Sequence, residues 1–180
     1  MTRCYSDPLD PKRVVLTRNP YISDAAYSEM VEKMPIPCTD AVLTVAGDKA
    51  IYLAERCVYP MKGLWIFGGR ISFNDASPEQ SIARCLELET GQRFELSRFV
   101  KLADHLYSWV KTKQGDFPGK NLVLTYQIEV TKEELARMSA SLAANEYNQD
   151  FGIQRFTRER LVNENVHPAL IDLYDDIYKK

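Results

Sequence analysis

A chain of 180 residues is enough for one domain with a substantial core and a poor fit to two. Its 45% hydrophobic and 27% charged residues exclude a disordered protein. The formal net charge of −2 supplies no overall basic field, so nucleic acid is not an expected partner, and a phosphate-bearing ligand would need a local group of Arg and Lys.

Residues 1–20 carry Pro8, Pro11 and Pro20 around a short apolar run, Val14-Val15-Leu16, and read as an extension ahead of a domain spanning 21–180. Ser23-Asp24 offers N-cap chemistry for a helix through Met34, with Ala26 and Met30 on one face, and Pro35 and Pro37 end it. Asp40 to Arg56 reads as two strands joined at Gly47-Asp48. A loop then leads to the apolar run LWIF and to Gly68-Gly69-Arg70.

Ser77-Pro78-Glu79-Gln80 combines an N-cap serine, proline at the first helical position and Gln at the third. With Gly91 placed for a left-handed cap, the spacing predicts a helix over 78–90. Ser97 to Val110 reads as a strand pair or one long bent strand, Lys111 to Lys120 as a polar loop, and Asn121 to Val130 as a strand. A short helix starts at Thr131, followed by the polar loop Asn145 to Asp150 and a short strand near Phe151 to Gln154. Two helices close the chain, the last with Leu170, Leu173 and Ile177 on one stripe. Strands with helices between them, joined largely by hairpins, imply an α/β (α+β) fold with a mixed sheet packed between helices.

No apolar run approaches the roughly 20 residues that span a bilayer, so no membrane association is expected. The opening MTRCYSDPLDPKR is polar and proline-broken, unlike a secretory signal. Cys4, Cys38, Cys57 and Cys85 are scattered, without a C-x-x-C pair or a nearby His, which speaks against zinc and against a disulfide framework. Reduced thiols and a cytoplasmic location are the expectation.

The Gly-Gly turn lets backbone groups approach a ligand with no Cβ in the way, and Arg70 beside it suits a phosphate fork. The helix behind it carries Arg84, Glu87 and Glu89; a carboxylate there can hold Mg²⁺ or Mn²⁺ shared with a diphosphate, and a nearby Arg can orient it. The stretch GRISFNDASPEQSIARCLELETGQ resembles the Nudix box, G-x5-E-x7-R-E-U-x-E-E-x-G-U with U aliphatic. Gly69, Arg84, Leu86, Glu89 and Gly91 match; Asp75 or Ala76 falls at the first acid, with one extra residue in the loop. Cys85 stands at the first glutamate after the arginine, Leu88 at the first of the paired glutamates, and Gln92 at the final aliphatic. Cys85 and Glu89, four apart, share a helix face that loses one carboxylate, which points to one metal ion rather than several. Glu87 lies about 200° round the axis from Cys85 or Glu89 and reads as solvated.

Within the superfamily, the chain is similar to the GDP-mannose mannosyl hydrolases from about Tyr21 to Leu173, through TDAVLTVAGDKAIYLAER, GLWIFGGRI, HLY and ENVHPA. The resemblance implies an α/β/α sandwich, a homodimer, and water attack at the anomeric carbon of a nucleoside-diphosphate sugar, aided by one Mg²⁺ (or Mn²⁺). Carried over, Gly68 and Glu89 would hold the metal, and Gln149 or Glu146 of the late loop could be a further oxygen ligand. Asp40 would serve near the sugar or the metal, and Arg56 and Arg70 would engage the diphosphate. The late loop that supplies a Gln-His pair in that family reads NEYNQD here, without histidine, leaving Glu146 or His105 as the base; Arg84 completes the catalytic set. A binding or regulatory module without turnover, and a divergent pyrophosphatase attacking phosphorus, are the alternatives.

Overall fold

The first helix, α1 (Asp24–Lys33), begins where Ser23 Oγ accepts the Ala26 N–H at 3.3 Å, as its N-cap chemistry predicts. The computed structural model describes residues 23–113 and 115–179, and the extension expected over 1–20 lies outside them. Strand β1 (Ile36–Val45) and strand β2 (Ile51–Arg56) pair antiparallel across the turn at Gly47, whose φ of 73° is left-handed. β1 starts earlier than the sequence suggested, because a parallel partner extends its ladder back to Ile36.

The LWIF run does not form one strand. Strand β3 (Gly63–Trp65) pairs with β2, whereas β4 (Phe67–Arg70) pairs with β1, so the run changes partner at the buried Ile66. Helix α2 (Pro78–Thr90) has the expected bounds, with Ser77 Oγ accepting the Gln80 N–H and Gly91 in the left-handed region at φ 67°. After it come β5 (Val100–Trp109), β6 (Gly119–Val130) and α3 (Lys132–Ala140), the last opened by a Thr131/Glu134 capping box. β5 is a single strand with an irregularity between Lys101 and Ala103, rather than a strand pair. Strand β7 (Ile153–Phe156), α4 (Arg158–Asn163) and α5 (Pro168–Tyr178) complete the described chain.

The seven described strands form one mixed sheet in the order β3-β2-β1-β6-β5, with β4 beside β1 and β7 beside β2. β1 and β6 run parallel and the other pairs antiparallel. On one face, Ala41, Leu43, Phe67 and Tyr126 pack against Ile82 and Leu86 of α2 and Met138 of α3. On the other, Val42, Ile51, Leu53 and Phe156 pack against Val31 of α1, Leu161 of α4, and Leu170 and Leu173 of α5. The arrangement is the α/β/α sandwich that the pattern implied, with a core on each side of the sheet. No described helix is long and apolar enough to cross a membrane.

Candidate functional site

One edge of β1 has two neighbours. Its first half pairs with β4, from Cys38↔Arg70 to Ala41↔Phe67, and its second half meets β2 at Leu43↔Tyr52. The sheet therefore divides where β2 and β4 part, and Asp40 lies at that division, opposite Gly68. Gly68 has φ 154°, and a Cβ there would fall 2.2 Å from the Thr39 carbonyl oxygen and 2.4 Å from Asp40 Oδ1. Only glycine lets β4 lie this close to the carboxylate. Helix α2 brings Glu89 to the same place: its Oε2 accepts the Gly68 N–H at 2.9 Å. Arg56, ending β2, supplies the positive charge that acts on both carboxylates.

Asp40 is 7% exposed and Glu89 9%. Burial raises the Asp40 carboxyl to about 7, against the pull of Arg56 and a hydrogen bond from Trp65. Burial likewise raises Glu89 to about 8; Arg56, Gly68 and Tyr147 act against it, while the like charge of Asp40 adds to it. Two buried carboxylates thus share one guanidinium, a balance in which a divalent cation can replace the protons. Both side chains offer hard oxygens, which suits Mg²⁺ or Mn²⁺. No group of three or more His, Cys, Asp or Glu that could hold a metal occurs among the described residues. An ion held by Asp40 and Glu89 would therefore take its remaining ligands from backbone, water or ligand oxygens.

The departures in the helix signature have a structural counterpart. Cys85 is buried, with its Sγ 3.1 Å from the position a Cβ on Gly69 would take, so it does face β4. Leu88 is 69% exposed and Glu87 pairs with Arg93 at 3.3 Å, so neither faces the carboxylates. Arg84 does not orient Glu89. Its Nε and Nη2 hold the two oxygens of Asp75 at 2.9 and 2.8 Å, and Nη2 also donates to the Arg70 carbonyl at 2.9 Å. It clips the 70–77 loop to α2.

The remaining candidates divide. Glu146 meets Arg56 at the site, its Oε2 accepting from Nη2 at 3.0 Å, while Oε1 accepts from Lys113 Nζ at 2.6 Å. Burial works to raise its carboxyl, but the hydrogen bonds from Lys113 and Arg56 outweigh it and hold it below the usual range, which weakens it as a base. Gln149 stands apart: its amide donates to the Tyr147 carbonyl at 3.2 Å within its own loop. Arg70 is exposed at the end of β4, with its guanidinium 4.1 Å from the Tyr27 ring centroid. His105 shares the sheet face of Asp40, two strands away, its Nδ1 3.2 Å from Thr125 Oγ1; Thr125 is Asp40's partner in β6.

Three features were not read from the sequence. Tyr147, buried in a loop otherwise read as polar, lies against Glu89, and burial followed by that carboxylate pushes its hydroxyl well up. Lys113 reaches Glu146 from the β5–β6 loop. On the Asp40 face, Trp65, Tyr107, Trp109 and His167 form a ring cluster with centroids 5.3 to 6.1 Å apart. The lone aromatic in NEYNQD was the one available signal for Tyr147; the others depend on tertiary contacts.

No family model matches the sequence, and no curated protein does so significantly. Solved structures match its shape. A MutT NUDIX hydrolase from Burkholderia pseudomallei is 18% identical over 78% of this chain and 97% of its own, with a TM-score of 0.55. The NUDIX domain of Shewanella oneidensis NrtR, solved with ADP ribose, is 20% identical over 84% of this chain and 96% of its own, with a TM-score of 0.55. NrtR complexed with a 27mer DNA is 20% identical over 77% of this chain, which spans only 60% of that one, with a TM-score of 0.53. The fold is thus the Nudix fold. The expectation that nucleic acid is excluded is corrected: the fold occurs in a protein solved on DNA. A net charge near zero averages over the surface and does not exclude a local basic patch.

Proposed function

We propose that this Nudix-fold chain hydrolyses a nucleoside-diphosphate sugar of the GDP-mannose type, with one divalent ion assisting water attack at the anomeric carbon. The observation that carries the reading is the buried group Asp40, Gly68, Glu89 and Arg56 at the division of the sheet. Glu89 and the Gly68 backbone would hold Mg²⁺ or Mn²⁺, with Asp40 beside them. Bound there, the ion would offset charge on the departing diphosphate. Arg56, and Arg70 from the rim, would grip the phosphates.

Asp40, poised near neutrality, suits a general base better than the ion-paired Glu146. In the proposed step Asp40 takes a proton from water, the water oxygen bonds to C1 of the sugar, and the C1–O bond breaks with its electrons leaving on the nucleoside diphosphate. On the same face the half-buried Trp109, His167 and His105 offer stacking and hydrogen-bonding groups to a sugar, packed against the buried Trp65 and Tyr107. Residues 21–180 form the single domain in this reading. The buried free thiols of Cys38 and Cys85 support a cytoplasmic setting.

Incubation with GDP-mannose and Mg²⁺ should yield mannose and GDP, and Glu89→Gln should lower turnover at least about 100-fold. GMP with mannose 1-phosphate would instead mean attack at phosphorus. A binding module is favoured by one comparison, the NrtR NUDIX domain solved with ADP ribose. It predicts thermal stabilisation by nucleotide sugars with no products.

A further inference from the structure

The Glu146 carboxylate makes an unusual pair of contacts. Each of its oxygens takes a different cation, Arg56 Nη2 at 3.0 Å and Lys113 Nζ at 2.6 Å. These cations come from separate elements, the end of β2 and the β5–β6 loop. Arg56 Nε, on the same edge of the guanidinium as Nη2, is buried and has no hydrogen-bond partner among the described residues. Three donors therefore converge on a planar anion with two oxygens. Because the second oxygen is drawn to Lys113, the two-pronged edge of Arg56 is only half used. A phosphoryl group is tetrahedral, and its oxygens can meet Nε, Nη2 and Nζ together.

We propose that Arg56 and Lys113 form a phosphoryl-binding site whose internal occupant is Glu146, and that a phosphate displaces this side chain on binding. The idea rests on the nucleotide-sugar reading and deepens it, adding Lys113 to the ligand contacts and giving Glu146 a competing role. Only the side chain need swing. The backbone around it is tied down by Cys57 N–H to the Glu146 carbonyl at 2.8 Å and Asn148 N–H to the Glu55 carbonyl at 2.9 Å. Glu146 and Arg56 are nearly buried while Lys113 is half exposed, which marks the side from which an anion arrives. Glu89 and Asp40 also interact electrostatically with Arg56, and their negative charge, once ionised, repels an anion, whereas Lys113 attracts it. The occupied state explains why a carboxylate sits in the loop where the resembling family carries its base: it balances two cations.

Calorimetric titration of the full chain with inorganic pyrophosphate and with orthophosphate, without divalent metal, tests this. Glu146→Gln keeps the shape and removes the charge, and should bind pyrophosphate about tenfold more tightly; Lys113→Met should bind it about tenfold more weakly. The same pattern with orthophosphate means that one terminal phosphoryl group fills the site. The pattern with pyrophosphate alone means that two adjacent phosphates share it. Unchanged affinity in a folded Glu146→Gln chain overturns the proposal. If that variant fails to fold, unchanged affinity in Lys113→Met, whose side chain is half exposed, overturns it equally. Failure of GDP-mannose hydrolysis with these affinity shifts intact would sink the substrate reading and leave the phosphoryl site standing. Hydrolysis without the shifts would do the reverse.

Discussion

At Asp40 three constraints meet in one side chain: a backbone neighbour that must be glycine, a guanidinium from the next strand, and exclusion of water. Its carboxyl is held near 7, so its ionised, proton-accepting form grows as pH rises through neutrality. kcat/KM for nucleotide-sugar hydrolysis should therefore climb with pH and level off by about 7, the break moving to lower pH with a divalent ion beside the carboxylate. Asp40→Asn should lose both the slope and about 100-fold or more of the rate. A pH profile of the wild-type chain that is flat from 5 to 9 would remove Asp40 as base. That Glu89 turns towards the Gly-Gly segment was legible, because helix spacing fixes which face it occupies. Arg84 was misread because spacing alone does not say which carboxylate an arginine finds; the loop folds back and delivers Asp75 first. Lys113 was invisible, since a lysine in a polar loop normally contacts only solvent.

At the scale of elements, α2 was legible to the residue because its signals are local: serine cap, proline at the first position and closing glycine. The apolar run at 64–67 was not, because which strand it joins is decided by two partners distant in sequence. The loop after β4 is held to α2 by the Arg84–Asp75 clip, in which the carboxylate is almost wholly buried. Arg84→Met would leave that carboxylate short of its main partner and should cost about 2–3 kcal/mol in denaturant unfolding. Adding Asp75→Asn should return part of the loss. If the double variant is no more stable than the single one, the clip is not the source of the cost.

For the molecule as a whole, pH acts through two sets of carboxyls with opposite sign. Hydrogen bonds from Arg155 and Tyr52 hold Asp48 at about 2, and Arg98 holds Glu134 at about 2. Their stabilisation is complete above the ordinary carboxyl range near 4 and is lost as pH falls through about 2. Asp40 and Glu89 are raised, so the folded chain holds their protons more tightly. That contribution is complete below about 4 and disappears as pH rises through about 7 and about 8. The thermal midpoint in EDTA should therefore be highest near pH 4 and fall by several degrees towards pH 9. Millimolar Mg²⁺ should flatten the alkaline decline, because the ion takes the place of the protons. An unaltered slope would mean that Glu89 does not hold the metal. The two-faced sandwich was legible in the periodicity of strands and helices. The division of the sheet, which creates the site, arises from pairings between distant strands that no local pattern encodes.

The chain contains two tryptophans, Trp65 and Trp109, and both belong to the ring cluster beside Asp40, within 6 Å of His167. Its intrinsic fluorescence is therefore a report from that one neighbourhood rather than an average over the molecule. A sugar settling against these rings should shift the emission of the native chain, and binding can be followed optically with no label attached. Emission that stays constant while calorimetry records nucleotide-sugar binding would place the sugar elsewhere.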